Sequence, residues 1–142
     1  MRALLDINVL IALHDRDHVH HQRATEWLTA NIRHGWASCP LTQNGCLRIM
    51  SQPAYPNAQA LPTLVRMLQS ATGHPQHVFW PDDISVLDQA RFNHSHIHSA
   101  RQTTDLYLLA LAVQQGGRLV SFVLRMPVSA VTGATDHHLV LL

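Results

Sequence analysis

The sequence predicts an α/β fold built on a mostly parallel sheet, on three observations. Short apolar runs of strand length alternate with segments of helical period along the whole chain. Turn and helix-start residues punctuate each change, which is the pattern of strand-helix-strand units with right-handed crossovers and helices on both sheet faces. At 142 residues, 46% of them apolar, the chain is long enough to bury a real core.

The elements follow in order. Ala3 to Leu5 form the first strand, which ends abruptly in Asp6. From Asn8 the spacing of Val9, Leu10, Ala12 and Leu13 is helical, with Asn8 expected as N-cap and Asp6 as the other capping option. Asp15-Arg-Asp17 is a polar break. A second helix is expected over His20 to Ala30, burying Ala24, Trp27 and Leu28. Gly35 to Cys39 reads as a strand ended by Pro40. Leu41 to Met50 reads as a helix with Leu41, Cys46 and Leu47 inward. Pro53, Pro56 and Asn57 mark a loop before a helix from Ala58 to Ser70, whose first turn tolerates Pro62. Gly73-His-Pro75 breaks it, His77 to Trp80 is the third strand, and a short helix is expected over Val86 to Ala90. Thr103-Thr-Asp105 starts an apolar helix to Gln115 that Gly116-Gly117 stops. Arg118 to Phe122 and His138 to Leu142 are the last strands. With no repeat, low-complexity tract or linker, residues 1–142 read as a single domain.

Composition narrows the function classes. Net charge is +1 with histidines neutral, so no global basic field announces nucleic acid. All ten cations are arginine, which suits bidentate phosphate contacts but also follows from GC-rich codons. Cys39 and Cys46 make neither a disulfide framework nor a metal motif and are expected as buried thiols in a reducing cytosol. Asp6 interrupts the N-terminal apolar run too early for a signal peptide, and no run approaches the ~20 residues of a membrane span. A cytoplasmic protein without a membrane partner is expected.

In an open parallel sheet, ligands bind at the C-terminal edge of the strands. Asp6 ends the first strand there. Gln43 opens the helix after the second, with Asn44 and Arg48 on nearby turns. Asp105 starts the helix before the fourth strand, and that strand ends in Ser121-Phe122-Val123. These residues are expected to converge.

On those residues the chain resembles the PIN-domain proteins, and most closely the VapC-like toxins of bacterial toxin–antitoxin pairs. The resemblance rests on Leu4-Leu-Asp6-Ile-Asn8, Cys39-Pro-Leu-Thr-Gln43-Asn-Gly-Cys-Leu-Arg48, Ser51-Gln-Pro-Ala-Tyr-Pro56, Thr104-Asp105-Leu-Tyr-Leu-Leu-Ala-Leu-Ala112 and Gly117-Arg-Leu-Val-Ser-Phe122. No single motif is specific; their order, nearly end to end, is. The resemblance implies a three-layer α/β/α fold of strand order 3-2-1-4-5. It also implies Mg²⁺- or Mn²⁺-dependent endoribonuclease activity, a cognate antitoxin and a homodimer. The family's acids map onto Asp6, Gln43, Asp105 (with Thr104 beside it) and Val123.

Two of those positions depart from the acidic pattern. Gln43 keeps an oxygen without charge and Val123 offers neither. Two-metal hydrolysis needs enough negative charge to hold ions about 3.5–4 Å apart. Asp6 and Asp105 alone predict one loosely held ion, and cleavage that is slow or absent unless RNA phosphate completes the coordination. In this reading Asp6 and Asp105 ligate the metal, while Asn8, Gln43 and Ser121 orient its waters. Arg48, Arg91, Arg101 and Arg125 are candidates for RNA phosphate. Val123→Asp is expected to raise activity and Mn²⁺ affinity.

Other readings fare less well. His14/His18 and His94/His98 have chelating i,i+4 spacing, and His137-His138 forms a third cluster, but neither spaced pair encloses the Glu of H-E-x-x-H, and solvated histidines are expected. Asp6-x-Asn8 also suits phosphoaspartyl chemistry, yet the chain has no lysine to hold the phosphoryl group. No G-x-G-x-x-G follows the first strand. The alternative function is a PIN scaffold that holds RNA or an antitoxin peptide without cutting. Trp36 and Trp80 are expected in strand packing, and Leu64, Val65 and Leu68 as a dimer face.

Overall fold

The computed structural model describes residues 1–142. The chain runs β1 (Ala3–Leu5), α1 (Ile7–His14), α2 (His21–Asn31), β2 (Trp36–Ser38), α3 (Pro40–Met50), α4 (Leu61–Thr72), β3 (His77–Phe79), α5 (Thr103–Gln114), β4 (Arg118–Ser121) and β5 (Leu139–Leu141). One sheet contains all five strands in the order β3-β2-β1-β4-β5, every pair parallel. β1 is central, with Leu4 opposite Ala37 of β2 and Leu119 of β4.

The alternation of side chains along a strand divides the core into two layers. Leu4 and Leu119 face a layer with Leu106, Leu109, Trp80 and Phe92, under α5. Ala3, Leu5 and Val120 face the other, with Val9, Leu10, Trp36, Met50 and Leu64, under α1 to α4. Both tryptophans therefore pack on the sheet, 4% and 5% exposed. α5 is apolar nearly all round, because the segments containing Ile84, Ile97 and Val128 cover the side that the sheet does not. α1 and α3 approach closely at Gly45, where a Cβ would meet Ile7 Cδ1 at 2.6 Å. Gly116, at φ +69°, ends α5 in the left-handed region. No helix is long and apolar enough to cross a membrane.

Four expectations need correction. Asp6, not Asn8, caps α1: its Oδ1 accepts a hydrogen bond from Ile7 N at 2.7 Å, so the helix starts earlier. Val86 to Ala90 is turn, not helix, because Ser85 Oγ and Asp88 Oδ1 capture the amides of Leu87 and Ala90 locally. α4 starts at Leu61 rather than Ala58, with Ala60 extended as its cap. Leu64 and Leu68 are buried in this chain's own core, leaving only half-buried Val65 of the expected dimer face.

Candidate active site

The sheet's central strand delivers Asp6 to the C-terminal edge, as its neighbour β4 delivers Ser121. Register requires this: Leu5 pairs with Val120, and Asp6 N donates to Val120 O at 3.0 Å. Ser121 Oγ then donates to Asp6 Oδ2 at 2.7 Å and accepts from Val123 N at 3.0 Å. Asp6 is 3% exposed. Burial pushes its carboxyl above the usual range, against the lowering effect of the bonds from Ser121 and Ile7.

Asp105 lies in the first turn of α5, half-buried. Burial, and then the negative charge of Asp6, push its carboxyl up to about 6. Asp105 thus feels Asp6 as a like charge. The molecule's one ion pair, Arg91 with Asp88, involves neither of them. A pair of carboxylates without a protein counter-cation suits a divalent metal ion. No group of three or more His, Cys, Asp or Glu side chains gathers to hold one, so an ion there would need neutral oxygens beside the two carboxylates.

Gln43 is tied elsewhere. Its Nε2 donates to Ser38 Oγ at 2.9 Å, and that hydroxyl is hydrogen-bonded to His77 Nε2 at 2.8 Å. Gln43 also lines a cleft between α3 and α4 with Asn44, Leu47 and Val65. Val123 is half-buried against the α5 layer. Asn8, Arg48, Arg101 and Thr104 are exposed, on α1, α3, the turn Ala100–Gln102 and α5 respectively. Arg125 lines an open groove with His98 and Gln102, just before α5.

The histidines serve the fold in several places. His14 Nδ1 donates to Leu10 O, His21 Nδ1 to Ala12 O and His94 Nε2 to Val86 O. The thiols of Cys39 and Cys46 are buried, pushed up to about 11 and about 12 by desolvation. Sequence reasoning missed two groupings. One joins Asp15 to Tyr55 and Asn57; the other joins Phe122 to His18 and His20. The Asp15 and Tyr-Pro-Asn segments carry chain-break signals, and nothing local pairs them.

A family model described as PIN domain matches residues 3–122. Over 139 residues, 98% of each chain, the protein is 50% identical to Ribonuclease VapC44 of Mycobacterium tuberculosis. Over 137 residues, 96% of this chain and 99% of the relative, it is 38% identical to Ribonuclease VapC39 of the same organism. Two solved structures share the fold at low identity. Mycobacterium tuberculosis VapC20, described as a Sarcin-Ricin loop cleaving toxin, superposes with a TM-score of 0.60 at 9% identity, over 87% of this chain and 89% of that one. Rickettsia felis VapBC2, bound to a DNA fragment from its promoter, superposes with a TM-score of 0.52 at 10% identity, over 88% and 90%. With its strand order, the family model and these near full-length relatives, the chain belongs to the PIN-domain family, among the VapC-type proteins.

Proposed function

We propose that this protein is a metal-dependent endoribonuclease, the toxin of a toxin–antitoxin pair. What supports the reading is that Asp6 and Asp105 are both raised in pKa, Asp105 in part by the charge of Asp6, and neither is in an ion pair. Asp6 and Asp105 would hold one Mg²⁺ or Mn²⁺. When bound, such an ion supplies Lewis acidity and an activated water for attack on a phosphodiester. Ser121 holds Asp6 in one orientation through Oδ2, and Ile7 N through Oδ1. Asn8 and Thr104, next in sequence to the acid segments, supply neutral polar groups, while the Gln43 amide nitrogen is held by Ser38. The exposed guanidiniums of Arg48, Arg101 and Arg125 meet RNA phosphate.

Val123 leaves the site short of a carboxylate, so metal affinity and turnover are low. The antitoxin neutralises the paired acids with a cation of its own. A homodimer in the cytoplasm is the assembly and setting that the family resemblance implies.

The test is incubation of the purified protein with structured RNAs and Mg²⁺ or Mn²⁺, beside Asp105→Ala and Val123→Asp variants. Cleavage that chelator and Asp105→Ala abolish is expected. RNA bound but uncut by every variant, Val123→Asp included, would make the protein a non-catalytic scaffold.

A further inference from the structure

Beyond the acid pair, the largest cavity in the molecule, about 380 Å³, opens where α1 ends. His18, Tyr55 and Pro56 wall it, Asp15 and Asn57 form its polar side, and Val19 stands at its lip, 84% exposed. Its polar side is tied together by hydrogen bonds. Tyr55 Oη and Asn57 Nδ2 both donate to the Asp15 carboxylate, as does Asp17 N at 3.0 Å. Burial alone would push the Asp15 carboxyl up, but those hydrogen bonds hold it below its usual range.

Aromatic rings lead from the cavity towards Asp6. His18 lies nearly parallel to Phe122, at 15° with 6.5 Å between centroids, and His20 is 4.7 Å from Phe122. Phe122 follows Ser121, the partner of Asp6. His18 Nδ1 accepts from His20 N at 3.0 Å, so this ring nitrogen carries no proton. The eight residues of α1 separate the cavity from Asp6 by about 12 Å, within reach of a neighbouring nucleotide.

We propose that this cavity holds an unpaired nucleobase of the RNA substrate, flanking the scissile phosphate, with His18 and Tyr55 as its ring contacts. The proposal rests on the ribonuclease reading and gives that site a specificity determinant. Sequence-specific RNA recognition splays single-stranded bases onto aromatic or histidine rings and reads their edges by hydrogen bonds. Asp15 and Asp17 repel phosphate, so the neutral part of the nucleotide enters. Asp15 has three donors already, so it is not a free anion awaiting an arginine of a peptide.

The test measures binding of short single-stranded RNAs in chelator, with an abasic residue moved through each position, and cleavage in Mn²⁺. One abasic position is expected to weaken binding about tenfold, in keeping with base–ring stacking energies. His18→Ala is expected to cost the same and to abolish sensitivity at that position alone; His18→Phe restores both. A His18→Ala protein that keeps its melting temperature and binds intact and abasic RNA with an unchanged ratio overturns the proposal. So does a His18→Ala loss confined to an antitoxin peptide. Wild-type cleavage by His18→Ala with unchanged site choice sinks this proposal and leaves the nuclease reading standing. Base-dependent binding without cleavage does the reverse, and failure to bind any RNA removes both.

Discussion

Ser121 Oγ donates a 2.7 Å hydrogen bond to Asp6 Oδ2 across adjacent strands, joining residues 115 positions apart. This bond holds one face of the acid that leads the site, and the same oxygen receives Val123 N. Ser121→Ala leaves a buried carboxylate oxygen and an amide without partners. The expected cost is about 1–3 kcal/mol of stability together with weaker Mn²⁺ binding. Denaturant unfolding and metal titration check it; a variant indistinguishable from wild type in both contradicts the assigned role.

Asp105 gives the pH dependence. Its carboxyl, at about 6 when folded against an ordinary 3.8, holds its proton where the unfolded chain has lost it. Metal-free stability therefore falls as pH rises from about 4 to about 6 and stays reduced above. Asp105→Asn is expected to stabilise the metal-free protein at neutral pH by on the order of 1 kcal/mol, after solvent screening of a half-exposed group. The gain should vanish towards pH 4, near the ordinary carboxyl value. Melting curves in chelator that retain the wild-type pH slope would falsify this.

Val123→Asp adds a carboxylate beside Ser121. Without metal, like-charge repulsion should lower the melting temperature; with Mn²⁺ the order should reverse. Mn²⁺ affinity is expected to rise on the order of tenfold, since ligand charge count tunes such sites, and RNA cleavage should rise with it. Equal affinity and rate in the two proteins would show that Val123 does not limit metal binding or cleavage.

Tyr55 and Asp15 are joined across 40 residues and fasten the end of α1 to the loop after α3. Tyr55→Phe removes a donor from a buried carboxylate and is expected to cost about 1–3 kcal/mol at neutral pH. Asp15 is held below its ordinary 3.8, so its contribution is complete above that value and lost as pH falls through the folded one. The difference between variant and wild type should therefore shrink in acid. A constant difference down to the acid limit would mean that Tyr55 acts through packing alone.

The sequence determined the order of strands and helices, and the sheet edge at which Asp6 lies. Apolar runs, Pro40, Gly116 and the Thr103-Thr-Asp105 start are local signals whose physics needs no distant partner. Asp6 and Asp105 could be singled out for the same reason, each sitting where a strand ends or a helix begins. Tertiary structure decided what those signals leave free. A carboxylate and an amide two positions apart both cap well, and the close approach of β1 and β4 made Asp6 the cap and Ser121 its partner. Leu64 and Leu68 lie on an amphipathic stripe that could face a second copy or the chain's own core, and packing of α4 against α3 and β3 turned them inward. The Asp15–Tyr55 and His18–Phe122 groupings join segments with no shared period. Only the fold brings His18, Tyr55 and the Asp15 carboxylate to one cavity, because side-chain contact is a property of space and periodicity one of sequence.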